Sequence, residues 1–109
     1  MERYGPVVKK DHICIFLTKL KIMIIAVHHK INNPGEFWAA AQKSVPNLPE
    51  PGVKKVLTIF PSKDMTEAHC IWDADSIDTL NKYLRSKVRD WSNETYFEVD
   101  TSHAMGMPA

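Results

Sequence analysis

Ala68-His69-Cys70-Ile71-Trp72-Asp73-Ala74-Asp75-Ser76, followed by Ile77, Leu80, Leu84, Val88 and Trp91, is the stretch on which the fold turns. Through Ala74 the residues alternate as on a strand, with Ala68, Cys70, Trp72 and Ala74 on one side and His69, Ile71 and Asp73 on the other. After Asp75 or Ser76, either of which can cap a helix, the apolar positions recur at steps of three, four, four and three. The period changes from two to about 3.6, so a strand runs directly into an amphipathic helix.

Working outward, Val53 to Phe60 reads as the strand before it, joined through the polar hairpin-type connection Pro61 to Glu67. Upstream, Asn33, Pro34 and Glu36 form a helix-start signal, and Phe37, Ala40, Ala41 and Val45 follow at helical spacing. Three prolines between Pro46 and Pro51 end that helix. Met23 to Ile31, rich in β-branched residues, is the first strand, and Thr95 to Asp100 the last, with Thr101 to Ala109 as a tail. The order is strand, helix, strand, strand, helix, strand. Right-handed crossovers place both helices on one face of a four-stranded antiparallel sheet, an α+β fold of ferredoxin-like βαββαβ type.

The 109 residues suit one domain, spanning residues 23–109. Residues 1–22 form a basic N-terminal extension, either without order or lengthening the first strand, with Met23 as an alternative initiator. That extension holds five Lys/Arg against two Asp/Glu, whereas residues 23–109 hold nine against eleven. A slightly acidic domain without a basic stripe argues against nucleic-acid binding. No apolar run reaches the ~20 residues that a membrane-spanning helix needs. Cys14 and Cys70 make no CxxC or zinc spacing, and the N-terminus lacks a proper secretory signal, so a reducing, cytoplasmic setting is expected.

Alternation also assigns the two sheet faces. Phe97 and Val99 are expected beneath the helices, and Tyr96, Glu98 and Asp100 on the uncovered face with His69, Ile71 and Asp73. Either Ile24, Ala26, His28 and Lys30 or Ile25, Val27, His29 and Ile31 join them from the first strand. In the second strand both Val56/Thr58/Phe60 and Leu57/Ile59 read as buried. Two helices cover only one face, so a second copy is expected on the other, giving a homodimer with a closed interior. Such an interface buries roughly 800 Å² or more per partner.

The layout, with its final Tyr96-Phe97-Glu98-Val99-Asp100 strand and an Ala68–Asp75 strand leading into the second helix, resembles the dimeric α/β-barrel superfamily, in particular its small uncharacterised bacterial members. The resemblance covers about residues 23–108 and concerns shape more than chemistry. It implies a fold shared by cofactor-free monooxygenases, haem-degrading enzymes, lactone isomerases and a nickel-binding type. No site pattern of any one branch matches.

The candidate ligand-binding residues are His28, His29, His69, Asp73, Tyr96 and Glu98, gathered at a sheltered barrel interior. The first reading is a small-molecule-binding dimer. The second is a cofactor-free monooxygenase- or isomerase-like enzyme whose interior histidine moves protons. The third is a divalent-metal, nickel-like site made of His28, His69, Asp73 and Glu98. Apart from that metal no cofactor is expected. A solvated or hydrogen-bonded sheet histidine is the commoner outcome for each imidazole, and Trp72 reads as packing. Adjacent His28 and His29 must point to opposite faces. His69 likewise points away from Cys70, which disfavours a thiol nucleophile.

Overall fold

The computed structural model describes residues 23–107, so the basic extension at 1–22 lies outside the described residues. The elements are β1 (Met23–Ile31), α1 (Pro34–Ser44), a 3₁₀ turn (Val45–Asn47), β2 (Val53–Pro61), β3 (Glu67–Ala74), α2 (Ile77–Val88) and β4 (Ser92–Glu98). They make a small α+β domain with one open, four-stranded antiparallel sheet in the order β2-β3-β1-β4. The arrangement is compatible with a ferredoxin-like fold. In each half a helix links two strands that run the same way with a third strand inserted between them.

Both helices start as their residues dictate. Asn33 Oδ1 accepts from the Glu36 amide at 3.3 Å, with Pro34 in the first turn. At α2 the cap is Ser76, not Asp75: its Oγ accepts from the Thr79 amide at 3.0 Å. Gly52, at φ +81°, docks the incoming loop against this helix start. A Cβ there would lie 2.3 Å from Thr79 Cγ2, which excludes a larger residue. The α2 stripe buries Leu80, Leu84 and Val88 as expected and adds Tyr83.

Beneath the helices the sheet presents Ile25, Val27, His29 and Ile31 from β1 and Ala68, Cys70, Trp72 and Ala74 from β3. This settles the β1 alternative: His29 faces the helices and His28 the open side. The double apolar character of β2 also has a local cause. The pairing slips between Val53 and Lys55 and again between Val56 and Thr58. Val56 therefore sits opposite Trp72 and Ile59 opposite Cys70, both on the helix side although three residues apart. The second strand thus needs no second cover to explain its pattern.

The fourth strand reverses the expected phase. It starts at Ser92, and its register sets Glu94 opposite His29, Tyr96 opposite Val27 and Phe97 opposite Ala26. Tyr96 consequently turns under α2, where its hydroxyl donates to Asn81 Oδ1 at 2.7 Å, while Phe97 stands on the open face, 65% exposed. Hydrophobicity alone favours the opposite choice. What outweighs it is that His29 and Arg85 supply partners for a buried carboxylate at position 94, and Asn81 supplies one for the tyrosine hydroxyl.

Candidate functional site

The decisive geometry lies on the helix side of the sheet. His29 is 1% exposed, and its Nδ1 lies 2.8 Å from Glu94 Oε2 on the neighbouring strand. The Glu94 side chain is also 1% exposed. Arg85, in the last turn of α2, reaches its Oε1 with Nη2, and Ser92 Oγ donates to Oε2. Arg85 Nη1 donates in addition to the Arg89 carbonyl and, at 3.1 Å, to the Ser92 carbonyl, which ties the α2–β4 turn to the same group. One buried carboxylate therefore holds a helix, two strands and a turn together, with its charge balanced by a guanidinium.

This network also sets the imidazole. Glu94 is only an acceptor, so the neutral ring carries its proton on Nδ1 and leaves Nε2 as a lone-pair acceptor. Burial lowers the His29 pKa to about 4, helped by the neighbouring His28 and by the positive Arg85. At neutral pH the ring is uncharged.

His29 lines an apolar cavity of about 30 Å³ between sheet and helices. Its walls include Phe37 and Trp38 from α1, Ile59, Cys70 and Trp72 from the sheet, and Tyr83 and Leu84 from α2. Two residues of this lining carry a buried polar atom without a hydrogen-bond partner among the described residues, His29 at Nε2 and Tyr83 at Oη, and the Trp72 side chain is directed at the Cys70 thiol. Burial pushes the Cys70 thiol up to about 12, and burial with the nearby Glu50 carboxylate pushes the Tyr83 phenol up to about 12. Apart from Lys87, which also lines the cavity and whose ammonium lies 3.0 Å from Glu50 Oε2, the lining carries no charge at physiological pH. On the α1 side Phe37 packs edge-on against His29, with centroids 5.3 Å apart, and Trp38 packs edge-on against Phe37 at 4.9 Å.

The residues expected to form one site are dispersed over three places. His28 and His69 meet on the open face with ring centroids 4.7 Å apart, and Glu67 Oε1 lies 2.9 Å from His28 Nε2. Asp73, 7% exposed, shares that face but pairs with Ile24 and Lys55, four residues along β3 from His69 and roughly 13 Å away. Glu98 ends β4 opposite Ile25, and Tyr96 is on the helix side with His29. The set His28, His69, Asp73 and Glu98 is therefore not brought together. Among the described residues no three His, Cys, Asp or Glu are arranged to hold a metal ion. Cys70 and His69 point apart, as alternation requires.

Sequence reasoning missed Glu94 as the partner of His29, Arg85 and Ser92 as partners of Glu94, and Tyr83 and Phe37 as walls. The parity Ser92-Glu94-Tyr96 was the available signal, masked by the apolar appeal of Phe97. Comparison of the chain with protein-family models, with curated proteins and with solved structures gives no match.

Two outcomes follow from the network. Arg85→Met leaves a buried carboxylate without its cation and should cost about 3–5 kcal/mol in urea unfolding. The double variant Arg85→Met/Glu94→Gln should recover much of that loss, and a single-variant cost under about 1 kcal/mol would show that the pair is not holding the fold. The imidazole gives a pH signature. Because the folded pKa of about 4 lies below the unfolded value of 6.5, the unfolded chain binds the extra proton between these values. The contribution of His29 is complete above pH 6.5 and is lost as pH falls toward 4, about 3 kcal/mol in all. His29→Gln should remove that portion of the acid sensitivity, measured as urea midpoints at several pH values.

Proposed function

We propose that the chain is a small-molecule-binding protein whose ligand sits between sheet and helices against Nε2 of His29. The observation that carries this reading is an enclosed apolar cavity whose lining residues include His29 and Tyr83, each with a buried polar atom that lacks a partner among the described residues. Each such group left unmade costs about 1–3 kcal/mol, a deficit that a bound molecule with matching groups reverses. The complementary ligand is neutral and compact, carrying a proton donor for His29 and an acceptor for Tyr83. An apolar pocket with a few placed polar groups suits such a molecule. With its pKa lowered to about 4, Nε2 of His29 is a hydrogen-bond acceptor rather than an efficient proton acceptor at neutral pH, which favours binding over the enzyme reading.

Titration with formamide, pyrazole and phenol, followed by ¹⁵N NMR of the histidine side chains, tests this. At least one probe should shift His29 Nε2 saturably, and His29→Gln should abolish its binding. If none does, or if the exposed His103 responds equally, the reading fails.

A homodimer of the dimeric α/β-barrel kind is supported by the open face. Phe60 and Phe97, 60% and 65% exposed, flank the half-buried Ile71 and Ala26. Large exposed aromatics on a sheet face without helical cover favour pairing with a like surface. Sedimentation should give a species twice 12.5 kDa that Phe97→Glu converts to monomer. A wild-type monomer at tens of micromolar rules the pairing out.

A further inference from the structure

We propose that Trp38 is the gate of the His29 cavity and sets the size of molecule that reaches it. The inference rests on the ligand-binding reading above and adds the route and its control.

The cavity is small. About 30 Å³ admits one or two water-sized molecules, so anything larger must displace a wall. The walls differ in how firmly they are held. The sheet side and α2 contribute Cys70, Trp72, Tyr83, Leu84 and Val88, all buried in the core. By contrast α1 buries only Phe37 completely, against four residues of α2, and its end passes into a short 3₁₀ turn. Elements with few buried apolar groups open at lower free energy than the rest of a domain. The weak wall is therefore α1.

On that wall Trp38 is the largest side chain that touches both the cavity and solvent. Its indole Nε1 donates to the Met65 carbonyl at 3.1 Å, across from the helix to the β2–β3 hairpin. The hairpin is a firm anchor. Asp64 Oδ1 accepts from Ser62 Oγ and from the amide and hydroxyl of Thr66, and the Ser62 amide donates to the Glu67 carbonyl at 2.8 Å. Met65 itself, at φ 67°, is held in a conformation that turns its carbonyl toward the helix bond. A single neutral hydrogen bond thus joins the loosest wall to a rigid loop. Releasing it leaves the indole held only by its packing against the core and against Phe37, which itself packs edge-on against His29.

Two variants and two probes test the gate. Formamide and phenol are titrated into wild type, Trp38→Ala and Trp38→Phe, with the His29 Nε2 resonance as the readout. Expected is phenol binding at least tenfold tighter to Trp38→Ala than to wild type. Trp38→Phe keeps a ring but lacks the donor. Its α1 amides should exchange with deuterium at least fivefold faster than in wild type, with α2 unchanged. Equal phenol affinity in wild type and Trp38→Ala, or unchanged α1 exchange in Trp38→Phe, overturns the gate while formamide binding leaves the site standing. Failure of both probes to move His29 Nε2 in every variant overturns the cavity reading itself, and the gate with it. Should Trp38→Ala not fold, the Trp38→Phe exchange result alone decides.

Discussion

A carboxyl group with almost no access to water needs partners for both of its oxygens, and the rest of this domain is arranged around those that Glu94 receives. Arg85 supplies the opposite charge, His29 and Ser92 supply the remaining donors, and the four groups come from α2, β1 and β4. None of these elements can shift without exposing an unpaired group in the interior. The parity of β4 follows from the same requirement. With Glu94 inward, Tyr96 must also turn inward and Phe97 outward, whatever their hydrophobicity.

The chemistry of the cavity is a second consequence. Because Glu94 occupies Nδ1, the other imidazole nitrogen is presented as a bare acceptor in apolar surroundings, and the charges that orient it remain behind it. Trp72 and Tyr83 line the same space with their rings. Packing explains their rings, since they meet edge-on with centroids 5.8 Å apart, but it does not explain why the Tyr83 hydroxyl lacks a partner among the described residues. The two sheet faces thus have different characters. One holds an apolar, sheltered recess, and the other carries the His28–His69 stack among exposed aromatics.

Charge placement separates the faces further. On the open side His28 is matched by Glu67 near solvent, where an ion pair contributes little. Under the helices the same residue type, one position along, is excluded from water and stays neutral. Adjacent histidines in one strand therefore have distinct chemistry because a strand sends consecutive side chains to opposite environments.

Element order, helix starts and the β3-to-α2 transition were legible in the chain because each depends on local periodicity and capping: Asn33 and Pro34, Ser76, and the Leu80-Leu84-Val88 stripe. The opposed directions of His28 and His29 were legible for the same reason. Which of the two lay under the helices was not, since both alternates of β1 are apolar enough to be buried. The slips in β2, the inward turn of Glu94 and the separation of Asp73 and Glu98 from His69 depend on register between strands distant in sequence. Such pairing is chosen by the sum of contacts across the sheet and against α2, and no single segment contains the Arg85–Glu94–His29 bonds that decide it.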